Sequence, residues 1–370
     1  MAGSLTTQSA KLNEKLTNLR ENYLDLMQRC LTGSIYRDGS DAPFTATNFN
    51  SSLRDNGLDW PASAQTMIGS KRMANLRELV ESVIAENVPG DLIETGVWRG
   101  GACILMRAVL FANNITNRCV WVADSFEGLP VPNEHEYPAD TGCIFNSYSQ
   151  LAVSLEQVQE NFNNYGLLDE QVKFLKGWFK DTLLDVPVEQ FALIRLDGDM
   201  YESTMDALKA LYPKLSHQGY VIIDDYHVVP ACKAAVHDYC LAHSIQPEIF
   251  DIDGVGVYWK KENVSQHRIV DLDFSQETTL TEVRIECLNE AFIELNSIAI
   301  NFLKRSLSER DVEMARLSQS LSERDVEMTR LSQNLSSLSQ SLESIYASSS
   351  WQITKPIRVI KNIITAMKGS

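Results

Sequence analysis

The stretch that most restricts how this chain can fold runs from residue 191 to residue 227. It reads strand, loop, helix, strand. Phe191-Ala-Leu-Ile-Arg-Leu196 ends in Asp197-Gly198-Asp199, and Gly219-Tyr-Val-Ile-Ile223 ends in Asp224-Asp225-Tyr226-His227. Both apolar runs are short, branched and bounded by glycine and acid, which suits strands buried on both faces of a parallel sheet. Between them Met205, Leu208, Leu211 and Leu215 recur at helical spacing, so the unit is a βαβ crossover. Ligands of an open parallel sheet bind outside the carboxyl ends of its strands, which gathers Asp197, Asp199, Asp224 and Asp225 at one rim. Carboxylates so placed repel one another unless a cation compensates them, and an all-oxygen donor set suits a hard divalent ion such as Mg²⁺. The plainer alternative makes these acids helix caps and turn formers. Their recurrence at consecutive strand ends favours the ion.

Upstream, Gly90-Asp-Leu-Ile-Glu94-Thr95-Gly96-Val97-Trp98-Arg99-Gly100-Gly101 leads into an apolar helical pattern over residues 102–112. A strand feeding a glycine-rich turn and then a helix opens a nucleotide-binding α/β sheet, because glycine lets the backbone approach a ligand closely. The spacing departs from the Gly-x-Gly-x-x-Gly of dinucleotide folds, which favours S-adenosylmethionine over NAD. A second strand, Cys119-Val-Trp-Val-Ala123, ends in Asp124, an acid placed to accept hydrogen bonds from ribose hydroxyls. The residues expected to meet the cofactor are Glu94, Thr95, Gly96, Val97, Trp98, Gly100, Asp124 and Ser125, together with Asp197. Val172-Lys-Phe-Leu-Lys176 is a third strand, followed by Gly177-Trp178-Phe179. These two aromatics either stack on an adenine or belong to the core, and both readings stay open.

Around this centre the pattern predicts a polar, frayed stretch over residues 1–18, an amphipathic helix over 19–31, a long irregular connection over 32–61 and a helix over 71–86. Helices are also expected over 151–165 and 231–243, with an antiparallel strand pair at 248–253 and 256–260 closing the domain near Lys261. A formal charge of −16 argues against a general nucleic-acid binder. Seven cysteines without paired spacing read as thiols rather than a disulfide framework. No apolar run is long enough for a signal peptide core or a membrane span, so a soluble, cytoplasmic body is expected.

Six ordered motifs together carry a resemblance: Thr66-Met-Ile-Gly69, Glu94-Thr-Gly-Val-Trp-Arg-Gly-Gly101, Asp124-Ser-Phe-Glu-Gly-Leu-Pro130, Gly177-Trp-Phe-Lys-Asp-Thr182, Leu196-Asp-Gly-Asp-Met-Tyr-Glu-Ser-Thr204 and Ile223-Asp-Asp-Tyr-His227. In these the chain resembles the macrocin O-methyltransferase family, which methylates sugar hydroxyls on antibiotics and related glycosides. The resemblance covers roughly residues 20–261. It implies a Rossmann-like class I methyltransferase, α/β, with a mostly parallel sheet and helices on both faces, using S-adenosylmethionine and Mg²⁺. It implies the metal on Asp197, Asp224 and Asp225, and Asp199 as general base, with His227 the competing candidate. Tyr201, in the same motif, serves the site or caps the following helix. Residues 32–61 and 131–147 would then be lids.

Beyond residue 262 the composition changes. Residues 307–320 are repeated almost verbatim as 321–334, a period of two heptads. Arg310 and Arg324 fall on core positions, which predicts a modest coiled coil and a homo-oligomer, against a solvated single helix as the alternative. The end, from Trp351 to Lys368, is basic, free of acids and interleaved with Ile and Val. It reads as a peripheral foothold on the inner face of an anionic membrane, or as a partner-protein docking segment. The expected organisation is an N-terminal helix and lid region (1–70), a methyltransferase domain (71–262), a helical linker and coiled coil (263–347) and a basic amphipathic tail (348–370).

These features lead to an Mg²⁺-dependent O-methyltransferase acting on a sugar hydroxyl, with a surface glycan or glycolipid precursor favoured by the coil and tail. The alternatives are tailoring of a macrolide-type or other small glycoside, and a coiled-coil scaffold or chain-length organiser whose methyltransferase domain is inert. An NAD-dependent oxidoreductase is disfavoured by the glycine spacing.

Overall fold

The computed structural model describes residues 2–41 and 48–262, together with residues 324, 329–334, 336–341, 343–344, 358–359 and 361–362. The chain divides into two units, Met1–Ile269 and Val270–Ser370.

In the first unit seven strands form one sheet in the order β3-β2-β1-β4-β5-β7-β6. The strands are β1 (Asp91–Thr95), β2 (Val120–Asp124), β3 (Val172–Lys176), β4 (Phe191–Leu196), β5 (Leu215–Ile223), β6 (Phe250–Asp251) and β7 (Val257–Lys260). β3 to β5 are parallel, and β7 runs antiparallel to both β5 and β6. The helices are α1 (Ala2–Leu31), α2 (Ser51–Asp55), α3 (Gly69–Ala85), α4 (Gly101–Ala112), α5 (Leu155–Asn164), α6 (Phe179–Thr182), α7 (Tyr201–Leu211) and α8 (Pro230–Ala242). Successive strand residues point to opposite faces, and the core divides accordingly. Leu92, Val120 and Val122 pack under α1, α3 and α4. Ile93, Trp121 and Ala123 pack with Met205, Leu208, Val236 and Tyr239 of α7 and α8. The sheet is therefore doubly wound, with strand order reversing between β1 and β4, the point at which such sheets bind ligands.

Two local expectations are corrected. The first helix does not begin near residue 19 but spans Ala2–Leu31, since no glycine or proline breaks the chain between Gly3 and Gly33. The connection over 32–61 is not irregular throughout, since it contains α2, and its described residues are held on Arg54, which is 0% exposed. Its guanidinium donates to Asp59 (2.9 Å), Asp38 (2.8 Å) and the Thr32 carbonyl (2.9 Å). A buried arginine so satisfied organises backbone that has no apolar pattern of its own.

In the second unit residues 329–334 and 336–341 are helical, with Leu331 and Leu338 exposed. The remainder of the expected coil and most of the basic tail lie outside the described residues. Among the described residues no helix is long and apolar enough to cross a membrane, and Cys30, Cys103, Cys119, Cys143, Cys232 and Cys240 are free thiols.

Candidate active site at the carboxyl ends of the central strands

Three loops meet where β1, β2 and β4 end, and each holds a non-glycine residue in the left-handed region: Trp98 (φ 48°), Phe126 (φ 58°) and Asp199 (φ 55°). Such conformations cost free energy and persist where surrounding structure enforces them. After β1 the chain turns at Gly96 (φ 80°), whose N–H donates to the Ala123 carbonyl (2.9 Å). The Asp197 N–H donates to the Thr95 carbonyl (2.9 Å). The two loops are packed so closely that a Cβ on Gly96 would overlap the carbonyl oxygen of Asp197. Gly96→Ala is therefore expected to displace the loop after β4 and to destabilise the fold by more than about 1 kcal/mol. A thermal midpoint within a degree of the parent would contradict this.

The loop after β4 is a tight turn in which the Met200 N–H donates to the Gly198 carbonyl (2.5 Å) across left-handed Asp199. Carboxylate oxygens of Asp197, Asp199 and Asp225 lie within 4.8 Å of one another. Asp225 is buried, and its Oδ2 has no hydrogen-bond partner in the protein. Burial, reinforced by the neighbouring acids, pushes the carboxyl of Asp199 up to about 8, that of Asp197 to about 6, and that of Asp225 well above the usual carboxylate range. Crowded acids of this kind hold protons unless a cation replaces them.

Asp224 sits beside this trio but with different partners. One oxygen pairs with Arg195 and the other with Arg72, both guanidiniums buried. Arg195, 1% exposed on β4, also donates to Glu94 and to Asp197 (2.8 Å). Burial raises the Glu94 carboxyl to about 7 against the pull of Arg195, and its second oxygen accepts from the Cys103 thiol at 2.8 Å. The side chains of Glu94 and Thr95 thus face the interior, 2% and 0% exposed.

The remaining expected residues fall as follows. Asp124 lies at the end of β2, half-buried, accepting the Val97 N–H (2.7 Å) and the Phe126 N–H (2.7 Å), with the Ser125 hydroxyl beside it. Trp98 donates its indole N–H to the Gln150 carbonyl (2.8 Å), under the guanidinium of Arg99. Gly100 caps α4 at φ 84°. Phe179 packs on the core beneath α7, with a ring carbon 3.4 Å from where a Cβ on Gly198 would stand, whereas Trp178 is half-buried just ahead of α6. His227 does not join the carboxylate trio. Its Nε2 lies 3.1 Å from Asp251 of β6, and its ring is edge-on to Tyr226. Tyr201 opens α7, and its hydroxyl donates to Asp238 (3.0 Å).

Sequence reasoning missed four residues that build this site. Arg72 and Arg195 hold Asp224, Arg54 organises the segment before α3, and Asp140 accepts the Tyr201 and Glu202 N–H groups (2.6 and 3.1 Å). Asp140 thereby pins the segment over 131–147 to the start of α7. A signal existed for two of them. Arg195 interrupts an apolar central strand, and Arg72 shares a helical face with Leu76, Leu79 and Val83. A charge at such a position needs a buried partner.

Comparison with known proteins agrees with this architecture. The family described as Macrocin-O-methyltransferase (TylF) matches residues 20–261. The chain is 52% identical over 243 residues to the demethyldecarbamoylnovobiocin O-methyltransferase of Streptomyces niveus, covering 65% of this chain and 93% of that protein. It is 48% identical over 246 residues to the mycinamicin III 3''-O-methyltransferase of Micromonospora griseorubida, covering 65% and 96%. The solved structure of the O-methyltransferase NovP superposes with a TM-score of 0.63 at 52% identity, covering 66% of this chain and 99% of that one.

Proposed function

Because the chain belongs to the macrocin O-methyltransferase family and is an O-methyltransferase of class I fold, we propose that it transfers a methyl group from S-adenosylmethionine to a sugar hydroxyl of a small glycoside, with Mg²⁺ at the carboxylate cluster. The observation that carries the metal is the convergence of Asp197, Asp199 and Asp225 around an Asp225 oxygen with no protein partner. An all-carboxylate set of this kind fits a hard divalent ion. The acceptor class follows from the relatives, which are named for methylating novobiocin and mycinamicin precursors and a rhamnosyl tetracenomycin. The surface-glycan or glycolipid acceptor becomes the second reading. It rests on the segment after residue 261, which lies outside the family match.

When bound, S-adenosylmethionine supplies an electrophilic methyl group, and Mg²⁺ acidifies and orients the acceptor hydroxyl. The protein supplies the rest. Asp197 and Asp225 hold the cation, with Asp224 as the third ligand, using the lone pairs its two guanidiniums leave over. Asp199 is committed to no basic side chain and takes the proton from the hydroxyl. Asp124 receives the ribose hydroxyls, and Trp178, rather than core-packed Phe179, meets the adenine. The Gly96 turn would let the main chain approach the donor, which would help orient its methyl group toward the acceptor hydroxyl.

The deciding experiment gives purified protein labelled S-adenosylmethionine, Mg²⁺ or a chelator, and a panel of desmethyl glycosides, sugar nucleotides and lipid-linked glycans. Label is expected in the sugar of a small glycoside and is expected to vanish with the chelator. Label in no carbohydrate at all would overturn the proposal. The raised carboxyls add a pH dependence. Asp197, a proposed ligand, holds its proton below about 6 and must release it to the ion, so Mg²⁺ affinity should rise as pH increases through that value. Calorimetry in buffers of different ionisation enthalpy measures the released protons, and a pH-independent affinity would count against a carboxylate cluster.

A further inference from the structure

We infer that Arg72 is a positioning residue that ties the segment before α3 and the β6–β7 turn to the cation site through Asp224; this rests on the cation reading above. Arg72 lies on α3, 5% exposed, and its guanidinium reaches three separate parts of the fold. Nη1 pairs with Asp224 at the end of β5, Nε donates to Asp253 in the β6–β7 turn (3.1 Å), and Nη2 donates to the Gly57 carbonyl (3.3 Å). Asp253 in turn accepts the N–H groups of Val255 and Gly256 (3.0 and 3.1 Å), so the turn is ordered around the same carboxylate.

The surrounding glycines are shaped to this side chain. Gly57, at φ 60°, approaches so closely that a Cβ there would overlap Nη2 of Arg72. A Cβ on Gly256 would stand 3.2 Å from Cδ of Arg72 and 3.1 Å from the Asp224 carbonyl oxygen. The far end of the Gly57 segment is held by Arg54 and its two aspartates. A run of polar contacts, part of it buried, therefore leads from Asp38 and Asp59 through Arg54, the 54–57 backbone and Arg72 to Asp224, and on through Arg195 to Asp197. A planar fork with five donors can hold three partners at fixed angles, which a single ammonium cannot do. Arg72 thus sets where Asp224 stands relative to Asp197 and Asp225. Any displacement of the 33–69 segment, including one caused by an acceptor, is felt at the cation through this side chain.

The test uses Arg72→Lys, which keeps the charge and removes the fork, and reads Mn²⁺ binding by electron paramagnetic resonance on the full chain, with S-adenosylmethionine binding measured alongside. Mn²⁺ affinity is expected to weaken by about tenfold, with donor affinity within about twofold of the parent, because a misplaced ligand is lost from the site and not from the donor pocket. Asp253→Asn, on the side of Arg72 away from the cluster, should weaken Mn²⁺ in the same direction by a smaller factor, and it stands in if Arg72→Lys does not fold. Unchanged Mn²⁺ affinity in both folded variants would overturn the inference. So would an unchanged Arg72→Lys beside a tighter Arg72→Met, since the guanidinium would then act only by repelling the ion. If the parent protein itself takes up no Mn²⁺, the cation reading fails instead.

Discussion

Asp199→Asn is expected to lower the rate of methyl transfer by about 10² to 10⁴, the range over which a positioned base acts, while divalent-ion and donor binding stay near parental values. The substitution is well suited to isolate chemistry from structure. Asp199 occupies the left-handed region at φ 55°, where asparagine is among the few non-glycine residues that sit readily. The turn closed by Met200 and Gly198 should therefore survive, and only the ability to accept a proton is removed. Single-turnover measurements with saturating donor would read the chemical step directly. If Asp199→Asn loses the ion together with the rate, then Asp199 is a metal ligand and Asp224 is not the third. His227 provides the contrast. Its Nε2 lies against Asp251 and its side chain is 36% exposed, so His227→Gln should change the rate by less than a few-fold. A loss there comparable to that of Asp199→Asn would transfer the base to His227.

The second large effect is on stability. Arg195→Met should destabilise the domain by about 3–5 kcal/mol, the usual result of removing one partner from a buried ion-pair network. Arg195 is 1% exposed and serves Glu94, Asp197 and Asp224 together. Methionine fills much of the volume but leaves buried Glu94 and Asp224 and half-buried Asp197 short of a counter-charge. Their remaining recourse is protonation, which gives the loss a pH signature. Glu94 already stands at about 7 with Arg195 present and should rise further without it. A carboxyl whose folded pKa exceeds its unfolded value favours folding at low pH and loses that contribution as pH rises through the folded value. The deficit of Arg195→Met relative to the parent should therefore be smallest near pH 5 and grow toward pH 8. Urea unfolding at those two pH values tests it, and a deficit that is flat or shrinks with pH would show that the network does not act through charge.

The two arginines also mark where sequence reading stopped. The strand–acid pattern at residues 191–227 placed Asp197, Asp199, Asp224 and Asp225 at one rim, and the Glu94–Gly101 turn placed β1 beside them, because a parallel sheet puts all its carboxyl ends on one side whatever the loops do. The division of Leu92 from Ile93 and of Val122 from Ala123 between two cores follows from the strand's period of two once the helices are placed on both faces. What the pattern could not show was how those acids divide among partners. Asp224 and Asp225 are neighbours in sequence, yet one carries two guanidiniums and the other has an oxygen without any. Nor could it show that Glu94 and Thr95, the last residues of β1, are buried at 2% and 0% exposure, with Glu94 paired to Arg195.

Local periodicity and the acids at strand ends thus determined a parallel α/β sheet with four aspartates at one rim, because each depends only on residues near one another in the chain, while the methyltransferase reading came from six motifs taken together as a resemblance. The pairing of Arg72 with Asp224 and Asp253 and of Arg195 with Glu94 was decided by tertiary structure alone. Those pairs join segments up to 181 residues apart, and a buried charge selects its partner by where packing brings an opposite charge within reach, which no local pattern records.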